Sequence, residues 1–194
     1  MKKLTLTTLT LCITIFSFGQ RTSADAVLDY PWTIGLGINF INNNGWQAEK
    51  AIDTDNWNYK NPIVVEAERR FSKLLAANVT VSFNALDSNK KQNNFTIPED
   101  LFLYAFDASA KLYWDQWFME TSHLNWFQGY LTSGLGFTNV DTNSTGSFNL
   151  GIGFQFWPFE EIGFRIQTVG KWGFKDWIYL KNYVQHSAEV IYRF

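Results

Sequence analysis

The chain is poor in the residues that do chemistry. It has one cysteine, Cys12, near the start among apolar residues. If that segment is removed on export, neither disulfides nor thiol chemistry is available to the rest of the chain. Histidine is limited to His123 and His186. Charge is sparse and balanced, sixteen Lys and Arg against eighteen Asp and Glu, so no basic footprint points to nucleic acid. After residue 19 no stretch stays apolar for the ~18 residues a membrane helix requires. The glycines have strand spacing, without the strand–loop–helix setting of a phosphate-binding loop. The acidic stretch holding Asp53, Asp55, Asn56 and Asn58 lacks the glycine and closing glutamate of a calcium loop. Neither a cofactor nor a metal is expected.

What is abundant is aromatic residues, 18% of the chain and equal to the charged share. The start reads Lys2 and Lys3, then an apolar run from Leu4 to Phe18, then Gly19. This predicts a signal peptide over 1–19, removed on export. Cys12 also admits a lipoprotein reading, but the bulky Leu11 stands where such sites want a small residue. Residues 20–29 are expected to form a short N-terminal segment, and 30–194 a single domain.

That domain alternates with period two. In "WTIGLGINF", Trp32, Ile34, Leu36, Ile38 and Phe40 share one face. The pattern returns in "IVVEAERRF", "LAANVTVSFNA", "FLYAFDASAKLYW", "YLTSGLGFT", "NLGIGFQF", "IGFRIQTVGKW" and "YVQHSAEVIYRF". Eight strands of ~9–13 residues have the length a tilted strand needs to cross a bilayer. Long polar linkers (Asn43–Tyr59, Asp87–Glu99) alternate with short ones (Ser72–Lys73, Trp157–Glu160). Asp141–Gly146 is predicted as a brief loop. Asp115–Trp126 is an unusually long, aromatic turn. The fold class is all-β: a transmembrane, eight-stranded antiparallel up-and-down barrel.

A soluble barrel has the same period with its apolar face inward. Three features favour the reverse. The polar face is rich in glycine (Gly35, Gly37, Gly134, Gly136, Gly151, Gly153, Gly163), which leaves room in a narrow lumen for long side chains from other strands. Tryptophans gather at strand ends, with Trp32, Trp114, Trp117, Trp126 and Trp157 toward one end and Trp172 toward the other. This predicts aromatic girdles at the lipid boundaries. Finally, the chain closes on Val190, Tyr192 and Phe194, all on the apolar face.

These features resemble the OmpA-like outer-membrane β-barrels of Gram-negative bacteria. The residues that carry the resemblance are "WTIGLGINF", "YLTSGLGFTNV", "GSFNLGIGFQFW" and "YVQHSAEVIYRF". It implies an integral place in the outer membrane, with both termini periplasmic and contact with membrane lipid and lipopolysaccharide. The final strand, with Val190, Tyr192 and Phe194, is similar to the signal read by the barrel-insertion machinery. Many such proteins carry a peptidoglycan-binding domain after the barrel. Here the expectation is the barrel alone.

The inward face carries Glu66, Glu68, Asp107 and Glu189 against Arg70, Lys111, Arg165 and Arg193. Buried charges must be paired, so these predict a network filling the lumen, either as a structural plug or as a gated ion path. Arg69 faces out near a strand end, placed to snorkel. His186 and Ser187 are neighbours in a strand and point to opposite faces, so they make no nucleophile–base pair. His123 stands alone in a turn, and no enzyme is expected. The leading expectation is a structural or interaction role in the envelope, either supporting its integrity or serving as an accessory subunit of a larger outer-membrane complex. A small gated channel is the alternative, and a lipid-remodelling barrel enzyme comes third.

Overall fold

A computed structural model describes residues 29–42, 54, 57–88, 90–92, 95–96, 99–118, 126–175 and 182–194. The expected signal peptide with Cys12, nearly all of 20–29, Asp53, Asp55, Asn56 and His123 lie outside the described residues. So does much of the long turn, residues 119–125. Eight long strands run β1 (Trp32–Asn42), β2 (Ile63–Arg70), β3 (Leu75–Leu86), β4 (Leu101–Tyr113), β5 (Phe127–Val140), β6 (Asn143–Phe156), β7 (Ile162–Gly173) and β8 (Asn182–Arg193). Each pairs antiparallel with the next. β8 returns to pair with β1, Thr33 opposite Arg193 through Asn42 opposite Val184, so the sheet has no free long edge. A two-residue strand, Trp57–Asn58, extends the sheet beside the end of β1.

Phe194 belongs to the closing seam. Trp32 N–H donates to the Phe194 carbonyl at 3.1 Å, and Phe194 N–H donates back to the Trp32 carbonyl at 2.9 Å. The last residue is therefore tied into the ladder while its ring stays on the outer wall, stacked with Tyr192.

Two connections at the end holding both termini, β2–β3 and β6–β7, are tight. Ser72 Oγ accepts from the amides of Leu74 and Leu75 and fixes the β2–β3 turn. At the opposite end, the loop end, the expected loop Asp141–Gly146 is shorter than its sequence suggests. Val140 pairs directly with Asn143, leaving a turn of Asp141 and Thr142, with Asp141 in the left-handed region at φ 51°. Asn143–Gly146 belong to β6, where Thr145 and Ser147 continue its buried inward parity.

The barrel is apolar outside and polar within. Leu36 and Leu135 are about 60% exposed, and they share the outer wall with Ile34, Val65, Phe106, Ile152, Phe164 and Val190. Glu66, Lys111 and Arg165 are 0% exposed. A continuous apolar belt of this extent is not tolerated against water and is what acyl tails demand. The strands, from 8 to 14 residues long, match a bilayer crossing.

Aromatic rings collect on the outer wall near the termini end. Trp114 packs against Gly129, so close that a Cβ there would sit 2.2 Å from the indole. Phe118, Phe127 and Phe154 meet the Trp114 ring edge-on, and Trp126 packs on Phe127. Trp32 stands on the same wall beside the Arg69 guanidinium, which lies 5.2 Å from its ring centre and 5.6 Å from that of Phe71. Trp117 is exposed beyond β4, and Trp172 pairs with Phe148 toward the loop end.

Trp157 does not belong to the outer set. It is 6% exposed, its Nε1–H donates to Gln128 Oε1 at 3.2 Å, and the Arg193 guanidinium lies 4.2 Å from its ring. The cause is parity: Phe156 faces out, so Trp157 turns in and stops the termini end of the lumen.

Candidate functional site

Alternation aims one side chain in two at the barrel axis, and an eight-stranded cylinder has just enough width for them to meet. β2 supplies Glu66 and Glu68, β4 supplies Asp107, Lys111 and Tyr113, β7 supplies Arg165, Gln167 and Lys171, and β8 supplies Glu189. Arg165 is the hub. Its Nη1 donates to Glu66 Oε1 at 2.6 Å and Glu189 Oε2 at 3.2 Å, and its Nη2 to Glu68 Oε2 at 2.7 Å. Lys111 Nζ bridges Glu66 and Glu68, the latter at 2.7 Å.

Neutral groups fill the remaining hydrogen-bonding positions. Thr80 Oγ1 donates to Glu66, Ser187 Oγ to Glu189, Tyr113 Oη to Glu68, and the Gln167 amide to both Glu66 and Glu189. Turned so that its oxygen faces Arg165, the Gln155 amide accepts from Nη2 at 2.9 Å and donates to Gln128 at 2.9 Å. Charges held out of water need this degree of pairing, because each one stripped of its partner costs several kcal/mol.

The packing uses glycine as clearance. A Cβ at Gly35 would lie 2.3 Å from Glu189 Oε2, and one at Gly136 would lie 2.2 Å from Asp107 Oδ1. Larger residues at these two positions would push the carboxylates off their partners.

The sequence predicts eight lumen charges, and the structure divides them into groups. Glu66, Glu68, Lys111, Arg165 and Glu189 form the central cluster. Asp107 stands toward the loop end, paired with Lys171 at 2.6 Å and accepting from Asn149 at 2.8 Å. Lys171 lies on the polar face but outside the predicted set. Arg70 and Arg193, the last residues of β2 and β8, cap the termini end. Arg70 donates to Gln128 and to the Lys73 carbonyl and stacks 3.7 Å over Tyr113, while Arg193 donates to the Glu160 carbonyl. Tyr113, Tyr130 and Tyr183, all fully or nearly fully buried, also lie outside the predicted set although their parity points inward.

The loop end of the lumen is different in kind. Ile41, Leu86, Leu103, Val140 and Tyr183 close it with a buried apolar cluster. Between this plug and the charges is a polar void of about 20 Å³ lined by Asn78, Asp107 and Lys171 among others, room for about one water. Among the described residues no group of His, Cys, Asp and Glu is placed to hold a metal.

On the outer wall, His186 Nδ1 lies 2.9 Å from Thr168 Oγ1. Ser187, its chain neighbour, faces the lumen and donates to Glu189. The backbone amides around Thr168 are spent in ladders to β6 and β8.

No protein-family model matches the chain, and no curated protein matches it. Solved structures do. The chain is similar to Neisserial surface protein A, with TM-score 0.55 and 12% identity over 84% of this chain and 96% of that one. It is similar to the N-terminal β-barrel domain of Pseudomonas aeruginosa OprF, with TM-score 0.51 and 9% identity over 84% and 97%. The Yersinia pestis outer membrane protein Ail, in a phospholipid bilayer nanodisc, gives TM-score 0.51 and 13% identity over 86% and 100%. Identities this low speak to architecture, and the architecture is that of the small eight-stranded outer-membrane barrels, the OmpA-like fold expected from the alternation.

Proposed function

We propose that this integral outer-membrane barrel is a structural and interaction element of the envelope, acting as an accessory subunit of a larger outer-membrane assembly. The observation that carries the reading is a lumen filled along its length. Arg193, Trp157 and Arg70 stop one end, the Arg165 cluster the middle, and Leu103 with its apolar neighbours the other. A body so filled offers its surface rather than a path. The subunit version is supported by exposed aromatics in the turns at the termini end: Phe71, Trp117, Phe118, Trp126 and Phe159.

Purification from native membranes in mild detergent, after brief cross-linking, tests it. The expected result is a co-purifying protein lost when Trp117, Phe118 and Trp126 are changed together to alanine. A lone monomer in both preparations overturns the subunit role. Planar-bilayer recording separates the channel alternative, which requires conductance steps that change with Glu66→Gln. The filled lumen predicts none.

A further inference from the structure

The inward arginines all donate to oxygen atoms of the protein: Arg165 to three glutamates, Arg70 to Gln128 and a turn carbonyl, Arg193 to the Glu160 carbonyl. Arg69 is set differently. It is the last outward residue of β2 and is exposed on the lipid-facing wall. Its guanidinium carbon lies 5.2 Å from the Trp32 ring centre and 5.6 Å from that of Phe71. Among the described residues no carboxylate pairs with it and no oxygen accepts its N–H groups.

Register fixes the height of this side chain. Arg69 stands opposite Trp32, which exchanges both backbone hydrogen bonds with Phe194 at the closing seam. The exposed rings of Trp32, Tyr192 and Phe194 mark the lipid boundary on the termini side. Ala77 and Ala110 continue the row of Arg69 on β3 and β4, and both are too short to screen the guanidinium. That group stays charged at any ordinary pH and carries five N–H donors in a planar fork. The two rings attract the cation and limit its swing, but they supply no anion. At the edge of hydrocarbon a charge without a counter-ion is costly, and the anions at that boundary are lipid phosphodiesters.

We propose that Arg69 binds the phosphodiester of a glycerophospholipid in the leaflet on the termini side. Two guanidinium N–H groups meet two phosphate oxygens, and the acyl chains run over the exposed Ile34, Leu36 and Val65. Arginine suits this ligand because its fork matches two phosphate oxygens at once. Inorganic phosphate presents the same oxygens, so the acyl chains are what separate the lipid from the free ion. The site rests on the membrane setting of the barrel and not on a partner protein. Failure of the co-purification test leaves it standing, and its own failure leaves that reading standing.

Native mass spectrometry of the full chain, folded in detergent, tests the site. Palmitoyl-oleoyl-phosphatidylethanolamine is offered beside a galactosyl diacylglycerol with the same chains. Neither lipid has a net charge, and only the first has a phosphate. Heat-modifiable gel migration confirms that each variant is folded. The wild type is expected to retain the phospholipid in preference to the galactolipid. Arg69→Met lowers phospholipid retention about tenfold, equivalent to ~1.4 kcal/mol, and leaves galactolipid retention unchanged. Arg69→Lys keeps the charge, loses the fork and lowers retention about threefold, which also tests the site if Arg69→Met fails to fold. Lys175→Gln removes a positive charge at the loop end and leaves retention unchanged. Equal retention by the wild type, Arg69→Met and Arg69→Lys overturns the proposal. So does a loss in Lys175→Gln equal to that in Arg69→Met, which would make net charge the cause. Displacement of the phospholipid by equimolar inorganic phosphate overturns the lipid as the source of the phosphate.

Discussion

The two halves of the lumen are filled by opposite means. In the half nearer the termini, Arg165 and Lys111 are threaded among Glu66, Glu68 and Glu189. At the loop end, Ile41, Leu86, Leu103 and Val140 meet as hydrocarbon. Apolar burial is non-directional and fails by degrees, through the void a lost methyl leaves. A buried charge cluster fails abruptly, because removing one member leaves its partners without compensation. The charged half fixes which side chains meet, and the apolar half excludes water whatever the details of contact.

The largest effect is therefore expected at the hub. Arg165→Met leaves Glu66, Glu68 and Glu189 facing Lys111 alone, and about 3–5 kcal/mol is lost. The measurement is the urea midpoint of the barrel folded in lipid vesicles. Adding Glu66→Gln and Glu189→Gln to the same chain removes the surplus negative charge, while the Lys111–Glu68 pair remains. Most of the loss is then expected to return. A triple variant as weak as the single one would mean that the bulk of Arg165, and not its charge, holds the lumen.

Leu103→Ala probes the apolar end. Leu103 is wholly buried beside Ile41, Leu86 and Val140. The cavity costs about 2–4 kcal/mol by the same urea measurement. No conductance is expected to appear, because the charged layer still fills the middle of the barrel. Steps in a planar bilayer would show that the apolar plug alone keeps the lumen shut.

The charge cluster is readable from sequence and the plug is not, for a physical reason. Glu66, Arg165 and Glu189 stand out on the inward parity because a charge on such a strand has few other places to go. Leu103, Leu86 and Val140 occupy the same parity, but near a loop a lone aliphatic residue carries no signal that it faces a lumen. Counting by twos from Phe102 or Phe156 places Leu103 and Trp157 inside. The expectation that tryptophan joins a girdle overrides that count at Trp157. Trp57 lies in a loop too long for any periodicity to hold it. Its stack on His186 follows from the sheet extension beside Asn42, which sequence pattern does not reveal.

Asp107→Asn tests the border between the two halves. The amide side chain keeps an acceptor for Lys171 while losing the charge that balances it. The expected loss is about 1–3 kcal/mol, smaller than at the hub because one hydrogen bond survives. A loss equal to that of Arg165→Met would mean that the border pair and the hub act as one cooperative network, which a double variant resolves as non-additivity.

The smallest effect is expected from the same chemistry moved into water. Lys60 and Asp100 pair across two connections at the loop end, both well exposed. The hydrogen bond and charge of Asp100 raise the Lys60 pKa, and the Lys60 hydrogen bond holds the Asp100 carboxyl below its ordinary value. What Asp100 contributes is present above its unfolded pKa and fades as acid protonates it through the lowered folded value. What Lys60 contributes is present below its unfolded pKa and is lost as alkali passes the raised folded value. At neutral pH the pair is intact, yet solvent and salt screen it. Asp100→Asn is expected to leave the urea midpoint unchanged within error, at neutral pH and in acid alike. A shift approaching that of Asp107→Asn would mean that the loop connections are a cooperative part of the barrel. Burial would then no longer separate the charges that hold this fold from those that decorate it.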